Sequence, residues 1–217
     1  MSRFEIAVFD VDGTLLDTRE GVISSVQYTI QKHNLSKLTM GQLKTFIGPP
    51  IQKSFEKYYQ LSTEEVQKLA NTFRERYKTV DLLKAKPYEG IYETFDTLRS
   101  RGIKIAVATY KRQDYAIKIL KHFGFDKYSN ILYGADNENK LTKKDIIQKC
   151  MDDFGIKDYN RAVMIGDSDN DAIGAKMLGM NFIGVTYGFD FKTKEDVDKF
   201  PNIGLAHRPI EIAEFFK

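Results

Sequence analysis

Runs of nearly all apolar residues recur at positions 4–9, 103–108, 131–133, 162–165, 182–185 and 203–206, separated by longer amphipathic stretches. A strand with one wet face alternates apolar and polar residues, whereas an unbroken apolar run belongs to a strand covered on both faces. Strands of that kind alternating with helices build a parallel sheet, because each parallel pairing requires a crossover. The intervening helices are expected at 91–101, 112–123, 144–154 and 170–178, and they are followed by Gly102, Gly124, Gly155 and Gly179. Glycine tolerates the left-handed conformation that closes a helix. The expected fold class is therefore α/β, a doubly wound, Rossmann-like parallel sheet.

One segment breaks the alternation. Residues 16–86 carry helical periodicity without a strand pattern, and they read as an inserted all-helical domain. Ser62 and Glu65 form a capping-box signal for a helix running to Tyr77, and Gly48-Pro49-Pro50 punctuates the segment. Pro87-Tyr88-Glu89-Gly90 marks the return, so the α/β body is expected at 1–15 and 87–217. A chain of 217 residues with 42% hydrophobic content is long enough for one such domain with an insert.

Charge narrows the partners. The 33 basic and 30 acidic residues nearly cancel and are scattered, which leaves no nucleic-acid or membrane footprint. The N-terminus lacks a signal pattern, and no apolar run reaches the roughly 18 residues of a membrane span. The single cysteine, Cys150, excludes an internal disulfide. A cytoplasmic protein with a small-molecule partner is expected, with monomer and dimer both open.

The expected strand ends carry the polar chemistry. Asp10 and Asp12 follow the first run, and their period-two spacing points both carboxylates the same way at the carboxyl edge, where open α/β sheets bind ligands. Taken alone, the pair is an ordinary acidic turn. The other ends change that balance. Thr109 follows the run 103–108, and its hydroxyl, at an expected helix start, suits phosphate oxygens. Asp167, Asp169 and Asp171 follow the run 162–165, and Lys143 and Lys144 open a helix with positive charge. Acids converging on one edge repel unless a cation sits among them, and hard oxygen donors suit Mg2+. An EF-hand calcium loop starting at Asp167 fails, because Ala172 and Leu178 stand where glycine and glutamate are needed. His33, His122 and His207 are isolated, and the aromatic segments at 55–59 and 73–77 read as the core of the insert.

The run DVDGTLLD at 10–17, Thr109, a lysine at 143 or 144, and GDSDND at 166–171 resemble the four ordered motifs of the haloacid dehalogenase (HAD) superfamily. The insert resembles that superfamily's type 1 helical cap. FIGPP at 46–50 and GVTYG at 184–188 are similar to its phosphoglycolate-phosphatase-like branch. The resemblance implies a Mg2+-dependent phosphatase of a small phosphate ester: phosphoglycolate, a sugar phosphate or a nucleotide. Asp10 would be the nucleophile and Asp12 the general acid and base. Thr109 and Lys143 would hold phosphate, and Asp10, Asp167 and the Asp12 carbonyl the metal. Asp171 is an orienter or outer ligand, and Lys144 is the alternative lysine. Asp12 argues against dehalogenation, and the lack of histidine before His33 argues against a β-phosphoglucomutase-type mutase. A receiver-type phospho-acceptor lacks an insert after its first strand. Tyr110 and Lys111 depart from the family pattern. Tyr110 either contacts substrate or packs against the insert, and Lys111 either touches phosphate or is solvated.

Overall fold

The computed structural model describes residues 3–136 and 140–217. In chain order the elements are β1 (Ile6–Phe9), β2 (Leu16–Asp17), α1 (Arg19–Lys32), α2 (Met40–Lys44), α3 (Ile51–Tyr58) and α4 (Thr63–Arg76). They continue with β3 (Lys86–Pro87), α5 (Ile91–Ser100), β4 (Lys104–Arg112), α6 (Gln113–His122), β5 (Leu132–Ala135), α7 (Lys143–Phe154) and β6 (Ala162–Gly166). The last are α8 (Asp169–Met177), β7 (Asn181–Val185), α9 (Lys194–Val197) and β8 (Gly204–Ala206). The chain divides into two compact units, Met1–Asp17 with Pro87–Lys217, and Thr18–Lys86.

In the first unit, six strands among the described residues form a parallel sheet in the order β5-β4-β1-β6-β7-β8. The α/β fold class expected from the apolar runs is the one observed. After β1 the chain builds outward through β4 and β5, then returns to β6 on the other side. The strand order therefore reverses beside β1, the position where such sheets place ligands. Register aligns the site. Phe9 is level with Val107 on one neighbour and Ile165 on the other, so the residues following these three positions emerge together at one edge.

Burial explains the unbroken apolar runs. On one face Ile6, Val8, Ala106, Met164 and Phe182 join Ile146, Ile147, Cys150 and Met151 of α7 and Ala172 and Ala175 of α8. Phe9 instead packs its ring 4.8 Å from that of Phe95 on α5. Each such aliphatic or aromatic side chain contributes about 1.5–3 kcal/mol when buried. Cys150 lies fully inside, and burial pushes its thiol up to about 12, so it stays protonated.

Two boundaries differ from the sequence expectation. The strand expected to end at 108 runs on to Arg112 through a register shift, so Thr109 lies within β4 and not at a helix start. Pairing with β5 sustains the extension: Gln113 holds the Leu132 carbonyl at 3.0 Å and accepts the Gly134 N–H. A Cβ on Gly134 would sit 2.4 Å from the Lys111 carbonyl oxygen, so the close approach requires glycine. Leu16 and Asp17, expected in the insert, fall with the first unit. Leu16 is fully buried, and its amide and carbonyl bond back to Val11 and Gly13.

The second unit contains α1 to α4 and a π-turn at Tyr77–Asp81. Capping boxes start two helices: Thr39 with Gln42, and Ser62 with Glu65, the latter opening α4 as its sequence indicated. Asp81, at the end of the π-turn, is fully buried. Its carboxylate receives Ser25 Oγ and Arg76 Nε at 2.9 Å each and Lys84 Nζ at 2.8 Å. Among the described residues no helix is long and apolar enough to cross a membrane.

Burial raises the Asp81 pKa, but bonds from Lys84, Ser25 and Arg76 outweigh it and hold the group below its usual value. A depressed folded pKa contributes stability above the unfolded value, lost as pH falls through the folded one. Asp81→Ala should therefore destabilise the protein by about 2 kcal/mol at neutral pH, with the two cations partly solvated. Denaturant unfolding at several pH values checks this. The gap to the unsubstituted protein should shrink as pH drops below about 4, and a constant gap would contradict it.

Candidate active site

The carboxyl edge of β1 turns sharply as it leaves the sheet. The Asp10 N–H still donates to the Ile165 carbonyl of β6 at 3.0 Å, after which Val11 accepts the N–H groups of Leu15 and Leu16. Gly13 adopts φ 83°, and a Cβ there would lie 2.0 Å from Asp167 Oδ2. This glycine lets the chain bend while passing directly over the carboxylate of Asp167, the residue that follows β6. Asp10, Asp167, Asp171, Thr109 and Lys143 are all buried at this edge.

Lys143 is the first residue of α7, whose start is fixed by a capping box between Thr142 and Asp145. Its Nζ reaches Asp10 Oδ1 and Asp171 Oδ1, each at 2.6 Å. Lys144 is half-buried, and the lysine on Asp10 is Lys143. Asp171 completes a capping box at the start of α8, accepting Ser168 Oγ at 2.7 Å. Asp169 is exposed at the first position of that helix.

Asp10, Asp167 and Asp171 offer carboxylate oxygens within 4.8 Å of one another. Asp12 lies outside this trio: its carboxylate pairs with Lys111 Nζ at 3.1 Å, and both side chains are largely buried. The Lys111 N–H in turn donates to Thr109 Oγ1 at 3.2 Å. Four carboxylates thus face two ammonium groups. Burial raises the Asp10 pKa most; Lys143 lowers it, Asp171 and Asp12 raise it again, and the balance is about 7. Asp167 is held well above the carboxylate range by burial and by Asp171 and Asp10. Burial lowers the Lys143 pKa, but Asp10 and Asp171 outweigh it and hold the ammonium above the ordinary lysine value. This excess of negative charge in hard oxygen donors suits a divalent cation such as Mg2+.

The backbone amides around the site carried no sequence signal of their own, whereas Tyr187 and Gly188 belong to the GVTYG run at 184–188. The loop after β7 brings the N–H of Phe189 onto Asp167 Oδ2 and the N–H of Phe191 onto the Asp167 carbonyl. A Cβ on Gly188 would meet Gly13 O at 2.3 Å and Asp167 Oδ2 at 2.4 Å, which accounts for that glycine. The Tyr187 hydroxyl donates to the Thr14 carbonyl at 3.0 Å. Tyr110, with its sequence role open, accepts the Lys143 N–H on its hydroxyl oxygen at 2.8 Å. His33 bonds to Thr72, and His207 to Thr186.

Residues 7–185 match the family described as haloacid dehalogenase-like hydrolase. A 5'-nucleotidase of Pseudomonas aeruginosa is 34% identical over 86% of this chain and 85% of its own. A phosphoglycolate phosphatase of Agrobacterium fabrum is 30% identical over 85% of this chain and 81% of its own. The solved structure of a predicted phosphatase from Clostridium acetobutylicum superposes with a TM-score of 0.87 at 32% identity, covering 97% of each chain.

A ligand that binds the folded state alone stabilises it by about 2.7 kcal/mol at a hundredfold excess over its Kd. For a chain of this size, saturating Mg2+ or Mn2+ should then raise the melting temperature by roughly 5–10 °C. Asp167→Asn should lose most of that shift in a thermal melt. An equal shift in both proteins would place the cation elsewhere.

Proposed function

Because this chain belongs to the haloacid dehalogenase-like hydrolases, we propose that it is a divalent-metal-dependent phosphatase of a small phosphorylated metabolite, with Asp10 as nucleophile. The observation that carries this reading is the Asp10 carboxylate, buried at the end of the central strand and held at 2.6 Å by Lys143, with Asp12 two residues on.

In this reading a carboxylate oxygen of Asp10 attacks phosphorus in line, and the phosphorus–oxygen bond to the leaving alkoxide breaks. Asp12 gives that alkoxide its proton. The aspartyl-phosphate so formed divides one difficult displacement into two easier ones. Asp12, now ionised, takes a proton from water, which attacks the same phosphorus and restores Asp10 with release of inorganic phosphate. One side chain thus serves as acid and then base.

The remaining residues neutralise and orient. Thr109 uses its oxygen to accept from Lys111, which leaves its O–H to donate to a phosphoryl oxygen. Lys143 supplies positive charge beside the nucleophile, and Lys111 adds a second while pairing with Asp12. Asp10, Asp167 and the Asp12 carbonyl would hold Mg2+, with Asp171 orienting; the bound ion would offset the repulsion between carboxylate and incoming phosphate. The Phe189 N–H keeps the Asp167 carboxylate aimed.

The reading assigns substrate choice to the helical unit Thr18–Lys86, which follows the first acid pair in sequence as a type 1 cap does. A nucleoside 5'-monophosphate and phosphoglycolate are natural first substrates, given what the relatives are named for.

Purified protein should release phosphate in Mg2+ from at least one member of a panel of nucleoside monophosphates, phosphoglycolate and sugar phosphates, with pyrophosphate for comparison. Asp10→Asn should abolish release, and Asp12→Asn should slow it by about a hundredfold or more. Undiminished turnover in Asp10→Asn would remove the nucleophile from the mechanism.

A further inference from the structure

Tyr110 makes two contacts with Lys143 that the reaction above does not use. Its hydroxyl oxygen accepts the Lys143 backbone N–H at 2.8 Å, and its ring centroid lies 5.7 Å from Lys143 Nζ. The N–H at the first position of a helix has no acceptor within the helix. At α7 that acceptor arrives from a strand 33 residues earlier in the chain. The ring adds a second hold, since an aromatic face attracts an ammonium without competing as a hydrogen-bond acceptor.

Both ends of one lysine are therefore fixed. Its backbone is tied by the Tyr110 hydroxyl, and its ammonium lies among the Tyr110 ring, Asp10 and Asp171. An ammonium has three N–H donors. With two directed at the carboxylates, the third is available for a phosphoryl oxygen. A lysine otherwise loses considerable side-chain freedom when it is ordered. A site that has already ordered it meets the transition state without that cost.

The backbone explains how Tyr110 comes to point this way. The β4 register shift lies between Ala108 and Arg112 and so spans Thr109, Tyr110 and Lys111. Ala106 and Ala108 on the same strand pack with residues of α7, so alternation carries Tyr110 to that face, and the shift leaves residues 109–111 outside the regular pairing with β5. Thr109 and Lys111 bond to one another, Lys111 pairs with Asp12, and Tyr110 reaches α7.

We propose that Tyr110 is a positioning residue for phosphoryl transfer, holding Lys143 in the orientation in which it stabilises charge on the transferring group. The proposal rests on the phosphatase reading of the same site. It predicts an effect on turnover that requires Lys143, and little effect on substrate binding.

A double-mutant cycle on kcat/KM tests it, using Tyr110→Ala, Lys143→Ala and the pair, with Tyr110→Phe as the conservative variant. Circular dichroism and a thermal melt confirm that each protein is folded. Tyr110→Phe keeps the ring and should lower kcat about three- to tenfold, and Tyr110→Ala about ten- to a hundredfold, each with KM within about twofold. In the Lys143→Ala background, removing Tyr110 should change kcat/KM by less than about twofold. Residue-resolved hydrogen exchange supplies a readout independent of turnover: the Lys143 amide should lose protection in Tyr110→Phe. An equal loss in both backgrounds, a change confined to KM, or an unchanged Lys143 amide would overturn the proposal while leaving the phosphatase reading intact. If the unsubstituted protein released phosphate from no ester in Mg2+, the phosphatase reading would fail first and the proposal with it.

Discussion

The ammonium of Lys143, 2.6 Å from the carboxylates of both Asp10 and Asp171, is the contact on which the carboxyl edge of the sheet depends. Asp10, Asp167 and Asp171 are buried with oxygens within 4.8 Å of one another. At an effective dielectric of about 20, two ionised carboxylates at that separation repel by roughly 3–4 kcal/mol. Lys143 relieves part of this, while burial first and the neighbouring carboxylates second keep the Asp10 and Asp167 pKa values raised. Thr142, Asp145 and Tyr110 are devices for putting that one cation where the charge requires it.

The chemistry and the fold are consequently hard to separate. β1 lies between β4 and β6, and the register that levels Phe9 with Val107 and Ile165 also delivers Asp10, Thr109 and Asp167 to one edge. The residues with catalytic roles in the proposed reaction all come from the unit Met1–Asp17 with Pro87–Lys217. That division lets the inserted helices vary without disturbing the acids, which is why family membership identifies a reaction class more readily than a substrate.

The parts of this arrangement that depend on local pattern were legible in the sequence. Unbroken apolar runs marked the strands, glycines marked the helix ends, and Asp10, Thr109, Lys143 and Asp167 could be picked out beside them, although β4 runs on past Thr109. What escaped was non-local or carried by the backbone. The amides of Phe189 and Phe191 have no side-chain signature, yet they clamp Asp167. The extension of β4 depends on pairing with β5 and on a bare α-carbon at Gly134. Asp81 reads as one more surface acid until Ser25, 56 residues away, closes over it. The sequence already favours Lys143 over Lys144, and the Thr142 cap at the start of α7 supplies the physical reason that Lys143 is the one reaching Asp10.

The central claim is that Asp10 forms the bond to phosphorus, and chemical trapping tests it most directly. Protein quenched during turnover of an active phosphate ester and reduced with borohydride should convert the acyl-phosphate to homoserine at residue 10, located by peptide mass spectrometry. Modification at another carboxylate, or none at residue 10 under conditions that trap the phospho-enzyme, would contradict the account.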